Sequence, residues 1–346
     1  MLGLVVCGLG RAGSGYGVDD RGLAIQRSHI GAAVSSGAFE IKGIVETDAN
    51  TREKATSSWG EVLGGAHSVA DLNDMKGIAV DVIALATSPM QRRLHVEAAL
   101  SLGPKVLLVE KPLATNVEEA AQIVEMCRVA GAALRVNFQR ATDPAHIAVR
   151  NEVENVPLGA NAKIGGGHFN YGSHVVDLVL DWFGAARSVS AFPIAAGAKS
   201  PDDEPALDFR ISLEAGFECL IQSVSGAHFD IFEIEVLFED RALRLSNGGV
   251  EKYWSCAVED LYYPGYTQLW QNRCSEELVD GLTPMYRSIA DHLERGGELI
   301  GASGERAAHG IAILEAAVRS AAAFGEAQQV AYPWSRPTRD ATDAIN

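Results

Sequence analysis

The sequence predicts an α/β chain in which an N-terminal doubly wound parallel sheet is followed by a second, α+β domain. Three features predict it. LVVCGLGRAG, residues 4 to 13, is a short apolar run entering Gly8-x-Gly10-x-x-Gly13. Continuous apolar runs then alternate with helical patterns as far as residue 138, as strands buried on both faces require. After Arg140 the runs change to residue-by-residue alternation, which suits antiparallel strands with one buried face. At 346 residues the chain is too long for one ordinary core. The expected division is 1–136, a dinucleotide-binding domain, and 137–340, an α+β substrate domain.

In the glycine segment, Gly8 permits the tight turn, Gly10 lets a pyrophosphate approach the backbone, and Gly13 lets a helix pack on the sheet. Arg11 and Ala12, inside the same turn, share that contact. The next strand, FEIKGIVE, ends at Glu46, whose carboxylate can accept both adenosine ribose hydroxyls. A carboxylate repels a 2′-phosphate, so NAD is expected over NADP, with Asp48 as the competing acid. Gly15, Gly17, Asp19 and Asp20 argue against a helix directly after Gly13 and place the first helix near Leu23. Glu46 then lies farther from the glycines than the usual spacing of about 20.

DVIALAT (81–87) is the next strand and ends in Thr87-Ser88-Pro89, ahead of a helix bearing Val96, Ala99 and Leu100. KVLLVE (105–110) runs into Glu110, Lys111 and Pro112. Open parallel sheets bind ligands outside the carboxyl ends of their strands, and Gly8, Glu46, Thr87 and Glu110-Lys111 all stand at such ends. Thr115 with Glu118 reads as a capping box for a helix running to about Ala130 and stopped by Gly131. ALRVNF (133–138) closes the parallel sheet.

The second part carries the strands LDFRISLEA (207–215), FECLIQSVS (217–225), IFEIEVLFE (231–239) and RALRLSN (241–247). Ile289 and Leu293, and the alanine-rich run 306–323, read as helices laid against this domain. The last dozen residues, SRPTRDATDAIN, read as a frayed end. Within Gly165–Gly184, read as one helix, Asn170, His174, Asp177 and Asp181 fall on one stripe and Val175, Leu178, Val179 and Trp182 on the other. One face is expected buried and the other chemically armed, although a polar stripe is also what a merely solvated face looks like.

With 47% hydrophobic and 21% charged residues the composition is that of a folded soluble protein. A net charge of −16 disfavours nucleic acid and anionic membrane surfaces as partners. Cys7, Cys127, Cys219, Cys256 and Cys274 lack CxxC or CxxH spacing and read as core residues of a reducing compartment, with no metal site. No signal-peptide pattern or apolar run near the ~18-residue minimum for a membrane span occurs, so a cytoplasmic location is expected.

Taken in order, GLGRAG, IVETDAN, Glu110-Lys111-Pro112, GAALRVNFQR and GSHVVDLVLDWFG resemble the Gfo/Idh/MocA family of NAD(P)-dependent sugar and cyclitol oxidoreductases across nearly the whole chain. The resemblance implies a Rossmann domain, then an α+β domain on a large, open antiparallel sheet whose outer face makes contacts in dimers or tetramers. It also implies that Lys111 and His174 flank a substrate hydroxyl beside the nicotinamide. GLGxxGxGY, VNFQR, Asn-x-Gly-Ser-His and the short segment between Pro144 and Gly165 look most like members serving bacterial surface-polysaccharide and sialic-acid-like sugar synthesis. Two positions depart from the family pattern. Asn170 stands where an aspartate is common, and in TSPMQRRLH Arg92 stands near the family's histidine, with His95 three residues on.

Oxidising a secondary alcohol needs a base for the hydroxyl proton and a positive group for the developing alkoxide. On the implied geometry His174 is the acid/base, Lys111 orients and stabilises the oxygen, and Asn170 positions it. Ser173 and Arg140 are further substrate-binding candidates, Arg140 by bidentate contact with a carboxylate or phosphate and Arg135 as its competitor. Asp177 either holds the His174 tautomer or packs the helix. Tyr262, Tyr263 and Tyr266 either wall a sugar site or serve a core or oligomer contact. Two other functions fit the same residues in part: a non-catalytic NAD-sensing regulator, which needs no Lys111–His174 pair, and transient oxidation serving epimerisation, elimination or glycoside cleavage.

Overall fold

The computed structural model describes residues 1–15, 26–153, 155–193, 206–224, 229, 231–272 and 281–334. In chain order the first unit contains β1 (Leu2–Cys7), α1 (Arg11–Ser14), α2 (His29–Ser36), β2 (Phe39–Val45), α3 (Ala49–Trp59), β3 (His67–Val69), β4 (Val82–Leu85), α4 (Arg92–Leu100), β5 (Val106–Glu110), α5 (Val117–Ala130) and β6 (Ala133–Asn137). Then come α6 (Pro144–Glu152), β7 (Gly159–Ile164), α7 (Ser173–Phe183), β8 (Ala186–Pro193), β9 (Leu207–Leu213), β10 (Glu218–Ser223), β11 (Phe232–Leu237), β12 (Arg241–Ser246), β13 (Glu251–Glu259) and β14 (Thr267–Asn272). The chain ends with α8 (Leu282–Arg295), β15 (Ala302–Ser303), α9 (Gly304–Ala322) and β16 (Gln328–Gln329).

Two compact units result, Met1–Pro144 with Val279–Ala308, and Ala145–Leu278 with His309–Asn346. The first therefore continues past residue 136 and takes back a late segment that the sequence reading had assigned to the second. The reason is visible in α8. Leu282, Met285, Tyr286, Ile289 and Ala290 form a stripe at helical spacing, and all are buried in one cluster with Ile30 and Ala33 of α2 and with Phe39 and Ile41 of β2. The spacing tells that a face is buried but not which core receives it.

The first unit's sheet runs β15-β6-β5-β4-β1-β2-β3, parallel throughout except for β15, which pairs antiparallel with β6 through Ala302 and Val136. Thus β6 is the last parallel strand, as expected, and the two-residue β15 adds an antiparallel edge beyond it. The order reverses between β1 and β4, and ligands bind at such a switch point. Strands β1, β4 and β5 carry Leu4, Val5, Val6, Val82, Ile83, Val106 and Leu107 with no exposed surface, as layers on both faces demand. Helix α5 opens one residue later than read: Asn116 is the N-cap, accepting the Glu119 backbone N–H at 2.8 Å, while Thr115 reaches the Glu119 carboxylate from outside. Gly131, at φ 68°, ends it as expected.

In the second unit the sheet runs β14-β13-β12-β11-β7-β10-β9-β8-β16, antiparallel except between β7 and β10. The expected alternation holds along β10, where Cys219, Ile221 and Ser223 are buried and Glu218, Leu220 and Gln222 are exposed. Cys7, Cys127 and Cys219 are buried, but Cys256 is exposed, because it lies where β13 has lost its inward face; Cys274 lies outside the described residues. The chain end SRPTRDATDAIN likewise lies outside them. Among the described residues no helix is long and apolar enough to cross a membrane.

Candidate active site

Gly8 leaves β1 at φ 83°, and a Cβ there would lie 2.6 Å from the Ala86 carbonyl oxygen after β4. Only glycine lets these strand ends approach so closely. A Cβ at Gly13 would strike the Gly8 carbonyl oxygen, whereas one at Gly10 would meet nothing within 4 Å. Two glycines are thus fixed by packing, and the third opens onto space. A single helical turn, Arg11–Ser14, follows at once, with the Ser14 N–H donating to Gly10 O at 3.0 Å. The expectation of no helix directly after Gly13 is corrected to this extent, because Gly13 sits inside the turn and Gly15, at φ 123°, stops it. Leu23 lies outside the described residues.

Glu46, half-buried just after β2, accepts the Leu9 backbone N–H at 3.0 Å through Oε2 and the Asp48 N–H and Thr47 hydroxyl at 3.1 Å through Oε1. Burial pushes its pKa up, but these hydrogen bonds outweigh it and hold the carboxyl below the usual range. The competitor Asp48 caps α3 instead, accepting from the Thr51 N–H and hydroxyl at 2.7 Å each. A charged acceptor beside a glycine turn with open space at Gly10 fits a dinucleotide: the turn for the pyrophosphate, Glu46 for ribose hydroxyls.

Beyond β4, Thr87 Oγ1 lies 2.9 Å from His95 Nδ1, Ser88 Oγ accepts the Met90 N–H at 3.3 Å, and Pro89 occupies the first turn. The sequence reading did not foresee the role of Arg92. It is fully buried and donates to Leu85 O at 3.1 Å, Thr87 Oγ1 at 3.4 Å and Glu110 O at 3.1 Å, pinning the ends of β4 and β5 together. Burial brings its pKa down to about 10 against the attraction of Glu110 and Glu119, which leaves it charged at neutral pH. An arginine three residues past a turn gives no sequence signal of such a strut.

Glu110 ends β5 and Lys111 follows it, half-buried, with a cis peptide to Pro112. Asn137 Nδ2 donates to Glu110 Oε1 at 2.6 Å, and His29 Nε2 lies 3.2 Å from the same oxygen. Burial of Glu110 raises its pKa, but His29, Asn137 and the charge of Lys111 more than reverse this and keep it ionised. Arg135 is tied to Leu299 O at 3.1 and 2.8 Å, so it is a structural strut, while Arg140 stands half-buried in the turn Gln139–Thr142.

In the second unit the Gly165–Gly184 segment is not one helix. After β7 the chain bends at Gly165 and Gly166 and is extended at Gly167, His168–Gly172 make a π-type turn, and the α-helix begins only at Ser173. A Cβ on Gly166 would strike the Tyr171 ring, which shows how the turn is packed. Every residue of α7 is buried, so the expectation of one buried and one open face is corrected. His174 keeps 8% exposure and Asp177 2%; Asp181 pairs with Arg150 at 3.7 Å. Asn170, in the turn, is half-buried and its carbonyl accepts the Ser173 hydroxyl at 2.9 Å. These three candidates, Asn170, Ser173 and His174, are therefore neighbours at the start of α7. A cavity of about 580 Å³ lies over the sheet, lined among others by Asn161, Phe192, Asp208 and Arg210, and includes none of them. Tyr262, Tyr263 and Tyr266 stand exposed in the β13–β14 turn.

Residues 2–138 match the model of an oxidoreductase family described as having an NAD-binding Rossmann fold. Inositol 2-dehydrogenase of Paracoccus denitrificans is 37% identical over 92 residues, covering 26% of this chain and 27% of that protein. The 1,5-anhydro-D-fructose reductase of Ensifer adhaerens is 27% identical over 136 residues, 39% of each chain. The chain thus matches well under half the length of either relative. The WlbA dehydrogenase of Bordetella pertussis, solved with NADH and UDP-GlcNAcA, shares the fold over 96% of this chain and 99% of its own at a TM-score of 0.73 and 20% identity.

Proposed function

We propose that this chain, whose residues 2–138 match an oxidoreductase family with an NAD-binding Rossmann fold, is a Gfo/Idh/MocA-type NAD-dependent enzyme oxidising or reducing a secondary alcohol of a sugar, nucleotide sugar or cyclitol. The observation that carries the reading is the convergence of Gly8, Glu46, Thr87 and Lys111 at the carboxyl ends of β1, β2, β4 and β5, around the switch point of the sheet. Inositol 2-dehydrogenase and 1,5-anhydro-D-fructose reductase, by their names, act on polyols and sugars, and the proposed substrate class follows them.

Bound NAD supplies the hydride acceptor. Glu46 selects it over NADP, since its ionised carboxylate would meet a 2′-phosphate with like charge. Lys111 donates to the substrate oxygen and stabilises its developing negative charge. His174 takes the hydroxyl proton at its imidazole, and Asn170 and Ser173 orient the substrate from the preceding turn. Arg140 contributes a substrate anion contact, and the working form is a homo-oligomer, a dimer or tetramer. A sensor would have no use for both Lys111 and His174.

A dehydrogenase screen with NAD against inositols, free aldoses and nucleotide sugars tests the reading. The expected result is NADH accumulation with at least one member. Conversion of a sugar without net NADH would move the assignment to transient oxidation, and binding of NAD with no conversion anywhere would favour a sensor.

A further inference from the structure

The hydroxyl of Thr87, just past the end of β4, is held from two sides. His95 Nδ1 lies 2.9 Å from Thr87 Oγ1, and the Arg92 guanidinium donates to the same oxygen at 3.4 Å. Arg92 is fully buried and anchored on the carbonyls of Leu85 and Glu110, so its approach to Thr87 is fixed by β4 and β5. His95 follows it one turn along α4 and is half-buried. Among the described residues no third group reaches this oxygen.

The donor inventory decides where the hydroxyl proton goes. Arginine only donates, so it fills one lone pair of Oγ1. A hydrogen on His95 Nδ1 would fill the other and leave the threonine hydrogen without a protein acceptor; with Nδ1 bare, the hydroxyl donates to it and all three groups are satisfied. Burial, and then the charge of Arg92, lower the pKa of His95 against the pull of Asp71, which favours the neutral ring at pH 7. Of the charged groups around His95, Arg92 stands on its own helix, Asp71 caps the packed turn Leu72–Met75, and Glu119 of α5 acts on Arg92. Arg93 and Glu97 pair with each other at 3.7 Å on the exposed side of α4. Thr87 Oγ1 is left with one free lone pair and no free hydrogen, so it can accept from a ligand but cannot donate to one.

We propose that Arg92 and His95 are positioning residues that present Thr87 to the bound dinucleotide as a hydrogen-bond acceptor, so that Thr87 receives a hydroxyl or an amide N–H and not a phosphate oxygen. The inference rests on the reading of the β4 end as part of the cofactor site. NAD carries such donors in its ribose hydroxyls and its carboxamide, whereas its pyrophosphate only accepts. Protonating His95 reverses the arrangement: the imidazolium donates Nδ1–H to Oγ1, the last lone pair is filled, and Thr87 can no longer accept. NAD binding therefore weakens as the pH falls below about 6.5.

Two measurements test this. In the cofactor-free protein, long-range ¹H–¹⁵N NMR of the His95 ring at pH 7.5 should show Nδ1 bare and Nε2 protonated. In calorimetric titrations, NAD affinity should be about 3- to 10-fold lower at pH 5 than at pH 7.5, the scale of one hydrogen bond. Glu46, held below the usual carboxyl range by its hydrogen bonds, stays ionised across that window. Thr87→Val should lose a similar factor already at pH 7.5 and show no acid step. His95→Asn keeps an acceptor oxygen on Cγ and cannot titrate, so it should bind NAD normally at pH 7.5 and equally at pH 5. The acetylpyridine analogue of NAD lacks the carboxamide N–H: an acid step that persists with it assigns the contact to a ribose hydroxyl, and one that vanishes assigns it to the carboxamide. A hydrogen on Nδ1 at pH 7.5, no acid step in the parent, or an equal step in Thr87→Val would overturn the proposal and leave NAD binding standing. No NAD binding by the parent at all would defeat the functional reading, and this proposal with it.

Discussion

Glu46 Oε2 accepts the backbone N–H of Leu9 at 3.0 Å, so the acid that follows β2 is fastened to the glycine turn that follows β1. The proposed cofactor choice and the observed turn geometry therefore meet at one carboxylate. Glu46→Ala should weaken NAD binding by roughly 10- to 100-fold, the scale of one or two charge-assisted hydrogen bonds, and should weaken NADP binding less or improve it. Calorimetry with both cofactors on both proteins checks this. Tighter NADP than NAD binding by the unaltered protein would sink the assignment.

The glycines of the turn should separate by role. Gly13→Ala forces a methyl onto the Gly8 carbonyl and should cost about 1–3 kcal/mol or more of stability. Gly10→Ala meets open space at an ordinary φ of −67° and should leave the melting temperature nearly unchanged while weakening NAD binding. Thermal melts paired with cofactor titrations distinguish the two; equal destabilisation by both would show that the turn is packed differently.

His309 should impose a pH dependence on stability. It is buried against the rings of Tyr332 and Trp334, neither ring nitrogen has a hydrogen-bond partner among the described residues, and burial pushes its pKa from 6.5 down to about 4. The unfolded chain takes up the proton first. Stability should therefore be full above pH 6.5 and fall as the pH drops from 6.5 towards 4, by roughly 3 kcal/mol in all. Denaturant unfolding of the protein and of His309→Leu at pH 7.5 and 4.5 measures the difference. A variant as acid-sensitive as the parent would contradict the cause given.

Asn170, in the π-type turn ahead of α7, should tolerate an acid. Asn170→Asp should retain or raise turnover, and Asn170→Ala should cost less than His174→Ala, because the proton acceptor survives. Rates on one verified substrate check both. A larger loss from Asn170→Ala would mean that the asparagine does more than position.

The sequence made the central strands legible because β1, β4 and β5 are apolar runs ending close to Gly8, Thr87 and Glu110, whereas β2 carries the exposed Glu40 between buried Phe39 and Ile41. The start of α7 was less legible, since helical spacing continues across the glycines and the π-type turn before it. Arg92 was noticed only as an oddity of the TSPMQRRLH turn; its burial depends on carbonyls from two strands far apart in sequence. His29 and Tyr286 were silent for the same reason. They are separated by most of the chain and meet only because α8 returns to α2, which no periodicity records.

The most direct test of the central claim compares turnover and NAD affinity in Lys111→Ala, His174→Ala and the double variant on one substrate. On the proposed role of both groups at one hydroxyl, each single change should lower kcat about 10²- to 10⁴-fold with NAD affinity nearly preserved, and the double variant should be little worse than the worse single one. Normal turnover by His174→Ala, with NADH formation unchanged from pH 6 to 9, would contradict the acid/base assignment.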